Sequence, residues 1–130
     1  HGRLCTCGRK GCLEAYVSVP ALLRAAAQVS GRDLTLEEIF ALAKNEDVAM
    51  SEVVEQYTLM LGQGIVNIVN MFRPQLILLG GAMSAYVKDF IDQLTDILQE
   101  DCFGGVHAPI PKIAIAELGS NAGMIGAANL

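Results

Sequence analysis

The spacing of apolar side chains divides the chain into helices first and strands late. Leu13, Val17, Ala21, Leu22 and Leu23 share one helical face through about Gln28. Ser18-Val19-Pro20 marks a fresh start within that face, because Ser18 can cap a helix and Pro20 fits its first turn. Gly31-Arg32-Asp33 reads as a turn. Thr35-Leu36-Glu37-Glu38 resembles a capping box displaced by one residue and opens a short helix through Leu42 and Ala43. After the polar stretch from Lys44 to Asp47, the residues Val53, Tyr57, Leu61, Ile65, Ile68 and Phe72 recur at steps of three or four. That period predicts one central helix over Val48 to Phe72. Beyond Ile65 the apolar residues reach nearly every face, which predicts a helix covered on both sides. It should end at Arg73, since the residue before Pro74 is pushed out of the α region.

Gly62 and Gly64 interrupt this helix, and each costs about 1 kcal/mol against Ala in a helix interior. A close crossing with another helix explains them better than direct approach of a ligand does. From Gln75 to Leu79 a continuous apolar run predicts a strand buried on both faces in a parallel or mixed sheet. It leads into Gly80-Gly81 and then a helix expected to reach about Glu100. Strand, glycine turn and helix N-terminus together form a candidate anion or nucleotide site. The motif is generic, however, with neither a Walker lysine nor a full G-x-G-x-x-G. Asp101 to Pro111 reads as a loop, Lys112 to Ala116 as a second strand, and Ser120 to Ala128 as a capped helix. Gly119, Gly123 and Ala127 would give that helix a small-residue face, suited to an internal crossing or to docking. Two strands do not make a stable sheet unaided, so more strands or a second copy of the chain should complete it.

The composition narrows the possibilities. In 130 residues, 52% are hydrophobic and 18% charged, enough for one modest core. A net charge of −5, with only Arg9 and Lys10 adjacent, argues against an extended nucleic-acid surface. The richest apolar stretch, Leu59 to Phe72, is broken by Gln63, Asn67 and Asn70 and is too short to span a bilayer. No Met opens the chain, so it reads as part of something larger.

Three of the four cysteines fall in Cys5-Thr6-Cys7-Gly8-Arg9-Lys10-Gly11-Cys12-Leu13-Glu14. Cys-x-Cys followed by a further Cys lets three thiolates converge on one ion, with Gly8 and Gly11 reaching conformations that strain other residues. Arg9 and Lys10 should lower the thiol pKa values. Two disulfides among Cys5, Cys7, Cys12 and Cys102 are the alternative, but Cys-x-Cys partners suit that poorly and no signal peptide suggests secretion. Thiols kept for a metal point to the cytoplasm. Tetrahedral zinc needs a fourth ligand, for which His1 is the nearest candidate, while His107 is far along the chain and Cys102 reads as a lone thiol. Glu14, two residues past a metal ligand, is held firmly enough to accept hydrogen bonds. On the residues alone it reads first as an acid in a first helical turn, stabilised by the macrodipole.

This cysteine stretch with its terminal Glu14, followed by Leu79-Gly80-Gly81 and Gly123-Met124-Ile125-Gly126-Ala127-Ala128, resembles the ROK family of bacterial sugar kinases and sugar-responsive repressors. The resemblance covers the whole chain. It implies an α/β fold, the C-terminal part of an actin-like, ribonuclease-H-like ATPase, helix-rich with a small mixed sheet and lacking its N-terminal domain. It also implies zinc on Cys5, Cys7 and Cys12, sugar hydroxyls on Glu14, and ATP with Mg2+ near Gly80 and Gly81. The family's zinc histidine lies further upstream than His1. Its phosphate loop and general-base aspartate are not in this sequence, so no catalytic residue is expected here and the chain alone is expected to be inactive. The expected partner is a hexose or amino-hexose, with a homodimer, no membrane, and DNA only if a helix-turn-helix precedes the chain. Leu79-Gly80-Gly81 and Leu118-Gly119-Ser120-Asn121-Ala122-Gly123 favour a kinase over a repressor. A zinc-stabilised dimerisation domain is the non-enzymatic reading.

Overall fold

A computed structural model describes residues 2–117 together with 121 and 127. The expectations for His1 and for the stretch from Leu118 onward, including the small-residue helix, therefore lie outside the described residues apart from Asn121 and Ala127. The chain divides into two compact units, His1–Gly64 and Ile65–Leu130. Among the described residues no helix is long and apolar enough to cross a membrane.

The first unit opens with a hairpin closed by an antiparallel bridge between Leu4 and Lys10. Helix α1 (Glu14–Val17) follows, then α2 (Val19–Ser30), α3 (Leu36–Lys44) and the larger part of α4 (Val48–Phe72). The break between α1 and α2 falls at Ser18, whose extended backbone ends one helix while its hydroxyl accepts from the Ala21 amide to cap the next. Gly31 closes α2 in the left-handed conformation, at φ 72°. At α3 the capping box is in register rather than displaced: Thr35 Oγ1 accepts from the Glu38 amide, and the Glu38 carboxylate accepts from the Thr35 amide. These bonds, together with Arg32, hold the Glu38 carboxyl below its usual range. Leu22, Ala26, Ile39, Phe40, Met50, Val53 and Tyr57 form the core.

Two contacts fix α1 to α4. A Cβ added to Gly64 would lie 2.7 Å from Leu13 Cδ2, so the glycine is where the head of α1 meets α4, and close packing rather than a ligand accounts for it. Two turns earlier on α4, the buried Tyr57 hydroxyl donates to the Val17 carbonyl at 3.0 Å, satisfying an acceptor that the end of α1 would otherwise leave orphaned. Glu14 sits between these braces.

In the second unit α4 ends at Phe72, and Arg73 leaves the helix with φ 47°. A non-glycine residue in that region is strained, and two interactions hold it. Its guanidinium donates to the Phe103 carbonyl at 2.8 Å and lies over the Phe103 ring. Asn70 Oδ1 accepts from the Phe103 amide. Strand β1 (Leu76–Leu79) pairs in parallel with β2 (Lys112–Ile115), Leu76 opposite Lys112 and Leu79 opposite Ile115. The connection carries α5 (Ile91–Asp101), the crossover that a parallel pair requires. Within the described chain the small sheet is thus parallel rather than mixed.

Three expectations for this unit are corrected. Leu76 and Leu78 are exposed, as are Ile68, Met71 and Phe72, so neither the strand nor the end of α4 is covered on both sides within the described chain. An apolar run reports that burial is favourable and does not supply the covering element. Nor does a helix start at the glycine pair. Ala82–Ala85 and Val87–Asp89 are short 3-10 turns, and the α-helix begins at Ile91. The Ser84 hydroxyl donates to the Gly81 carbonyl at 2.7 Å and the Ser84 amide to the same oxygen at 3.1 Å, so that carbonyl is engaged locally before an α turn can form.

Candidate metal knuckle and sugar carboxylate

The hairpin that carries the cysteines is built by its backbone. The Cys5 amide donates to the Arg9 carbonyl at 2.8 Å, the Gly8 amide to Cys5 at 3.0 Å, and the Gly11 amide to Arg3 at 3.0 Å. Gly8 at φ 83° and Gly11 at φ 78° make the two reversals that side chains with a Cβ resist. Arg3 ties the hairpin to α1 twice: its amide donates to the Tyr16 hydroxyl at 2.9 Å, and its guanidinium stands 4.8 Å above the Tyr16 ring centre.

As a result, the sulfurs of Cys5, Cys7 and Cys12 lie within 4.8 Å of one another, with Cys7 and Cys12 at 3.6 Å. All are free thiols, as is Cys102, which is buried in the second unit. Thiolates at about 2.3 Å from a tetrahedral zinc stand about 3.8 Å apart, so this trio fits a soft divalent ion. Among the described residues the group stops at three. His107 falls in the second unit. Bound there, zinc would act as a structural cross-link.

The electrostatics differ from the sequence expectation. Cys7 is shifted below its ordinary value, first by the backbone amide of Arg9 and then by hydrogen bonding from Cys12. Cys12 is pushed up to about 11, chiefly because it keeps its hydrogen bonded to Cys7 and then to Cys5. The charges of Arg9 and Lys10 are not what tunes them. Three thiols packed together share protons, so one ionises readily at the expense of another.

Glu14 turns back onto this hairpin. Its Oε1 accepts from the Thr6 hydroxyl at 3.3 Å, and its Oε2 from the Cys5 thiol at 3.6 Å. Cys5 would lose that hydrogen on ligating a metal. Glu14 is indeed the acid in the first turn of α1, but that helix is only four residues long and sums few peptide dipoles, so the macrodipole contributes little. Glu14, Thr6, Cys5 and Arg24 border a small cavity of about 40 Å3, and a recess of about 250 Å3 shares Leu4, Ala15 and Arg24 with it. Sequence reasoning missed Thr6 and Arg24, since a lone Thr or Arg carries no spacing signal. It also missed a hollow of about 410 Å3 between α2 and α4, bordered by Leu22, Val53, Tyr57 and Met60.

In the second unit Gly80 and Gly81 lie at the carboxyl end of β1, beside Ala116, whose amide donates to Leu79. Carboxyl ends of parallel strands are where ligands meet open α/β sheets. Gly81 has φ 78°, and among the described residues a Cβ there would meet nothing within 4 Å.

A family model described as ROK family matches residues 1–130. The chain belongs to the ROK family. Its ROK relatives include a kanosamine kinase of Amycolatopsis mediterranei, 30% identical over 99% of this chain and 42% of that protein. A xylose repressor of Bacillus subtilis is 35% identical over 61% of this chain and 20% of its own length. Among solved structures, a ROK glucokinase from Streptomyces griseus in complex with glucose and AMPPNP superposes with a TM-score of 0.85 at 27% identity. That match covers 98% of this chain and 46% of the glucokinase. The fold is therefore that of a ROK glucokinase's actin-like ATPase architecture, and the chain spans less than half the length of these relatives.

Proposed function

We propose that the chain is the C-terminal portion of a ROK sugar kinase that phosphorylates a hexose or amino-hexose with ATP and Mg2+. The observation that carries this reading is Glu14: a carboxylate that accepts from the Thr6 hydroxyl at the edge of a cavity, on a hairpin whose sulfurs suit zinc. In this role Glu14 accepts hydrogen bonds from sugar hydroxyls, and Cys5, Cys7 and Cys12 hold zinc that stiffens its mount. The cavity beside Glu14 is smaller than a hexose, so further walls of the sugar site come from outside the hairpin. Gly80 and Gly81 border the nucleotide, whose phosphates can approach a backbone free of side chains.

The kinase reading is favoured because, among matches that run over nearly the whole chain, the kanosamine kinase is 30% identical and the Escherichia coli repressor Mlc 24%. A sugar-sensing repressor domain is the second reading, favoured by the higher identity of the xylose repressor over its shorter span. The sheet face that carries the exposed Leu76 and Leu78 suits coverage by a packed helix or by a second copy in a dimer.

Calorimetric titration of the full-length protein with glucose, kanosamine and xylose tests the role of Glu14. Glu14→Gln should weaken the best-bound sugar by roughly tenfold or more, the scale of one charge-assisted hydrogen bond. Unchanged binding would remove the assignment. Sugar-dependent ATP turnover by the same protein separates kinase from repressor.

A further inference from the structure

Thr6 occupies the middle of the Cys-x-Cys step, where an exposed side chain could point to water at no cost. Instead its Oγ1 lies 3.3 Å from Glu14 Oε1 and 3.9 Å from Cys5 Sγ. A carboxylate offers about four lone-pair sites on two oxygens. Thr6 takes one on Oε1, and the Cys5 thiol, a weaker donor at 3.6 Å, takes one on Oε2. Glutamate is otherwise free to rotate about three bonds, and the thiol contact is lost once Cys5 ligates a metal, because the thiol then gives up its hydrogen. The Thr6 hydroxyl is the donor that remains with metal bound, and its hydrogen bond to Oε1 restricts those rotations.

We propose that Thr6 is a positioning residue whose hydroxyl orients the Glu14 carboxylate for sugar hydroxyls and thereby sets sugar affinity. This rests on the reading of Glu14 as the sugar carboxylate. The hairpin's own backbone bonds do not involve the Thr6 side chain, so the fold does not depend on it.

The test compares Thr6→Val, which keeps the shape and removes the hydroxyl, with Thr6→Ser, which keeps the hydroxyl, and with Glu14→Gln. All are made in the full-length protein. Zinc content is measured by elemental analysis, and the dissociation constant for the best-bound of glucose, kanosamine and xylose by calorimetry. Thr6→Val should weaken that sugar by about tenfold while Thr6→Ser stays within about twofold of the parent, both at parent zinc content. If Glu14→Gln weakens the sugar and Thr6→Val does not, the role of Thr6 is overturned and that of Glu14 stands. If neither weakens it, the sugar reading of Glu14 falls and takes this inference with it. Equal losses in Thr6→Val and Thr6→Ser, or a loss of zinc in Thr6→Val, would also overturn the inference, since neither is an effect of the missing hydroxyl on Glu14.

Discussion

The cysteine hairpin and the glycine pair after β1 are both short turns with glycine at positive φ, yet they differ in how firmly they are determined. The hairpin is fixed by three backbone hydrogen bonds, by Arg3 on Tyr16, and by the braces that hold α1 to α4 through Leu13 and Tyr57. Gly80 and Gly81 stand at the end of a two-stranded sheet with exposed leucines, followed by 3-10 turns instead of a helix. A site whose chemistry needs several side chains at fixed separations must be built by many contacts. One that offers backbone to a ligand needs little more than open space.

Breaking the hairpin should therefore have the largest effect. Cys7→Ser removes one of three soft ligands and should cost at least about a hundredfold in zinc affinity, measured by competition with a chromophoric chelator. At zinc concentrations well above the parent's dissociation constant, that loss removes about 2.7 kcal/mol or more of linked stability. The loss should appear in hydrogen exchange of the first unit, with the second unit unaffected. Equal loss of protection in both units would erase the contrast between them.

The contrast also marks what the sequence could convey. Helix α4 was legible to the residue because a long apolar period ended at Pro74, and the cysteine cluster was legible because its spacing has few other uses. Ser18 and Thr35 announced two helix starts through the same local chemistry that caps them. The missing helix after Gly81 was not legible, because Met83, Val87 and Phe90 repeat at steps that suit an α-helix as well as two 3-10 turns. What decided was Ser84 on the Gly81 carbonyl, a contact without a sequence period. Thiol tuning failed in the same way: charge is visible in a sequence, whereas the Arg9 amide that acts on Cys7 is not.

A gentler test of the hairpin uses pH. Metal competes with protons for the sulfurs, and Cys12, at about 11, still carries its proton near neutrality. Binding must expel it, so zinc affinity rises as pH rises and falls as pH falls, by about tenfold per unit for each proton displaced. Calorimetry of zinc binding in buffers of differing ionisation enthalpy should count about one or more protons released at pH 7.5. No release would mean that Cys12 is not a ligand.

The smallest effects belong to the glycine pair, and their asymmetry is informative. Gly81 at φ 78° tolerates a Cβ only with backbone strain, so Gly81→Ala should destabilise the protein by about 1 to 3 kcal/mol in denaturant unfolding. Gly80 is not in the left-handed region, and a Cβ there would meet Ala116 Cβ at 3.4 Å, an ordinary contact. Gly80→Ala should then change stability by less than about 0.5 kcal/mol, as surface substitutions away from special geometry do. If AMPPNP affinity falls in Gly80→Ala while stability holds, the backbone there is needed for approach to a nucleotide and not for the turn. If affinity and stability are both unchanged, this glycine serves neither purpose, and the proposed approach of a nucleotide rests on Gly81 alone of the pair.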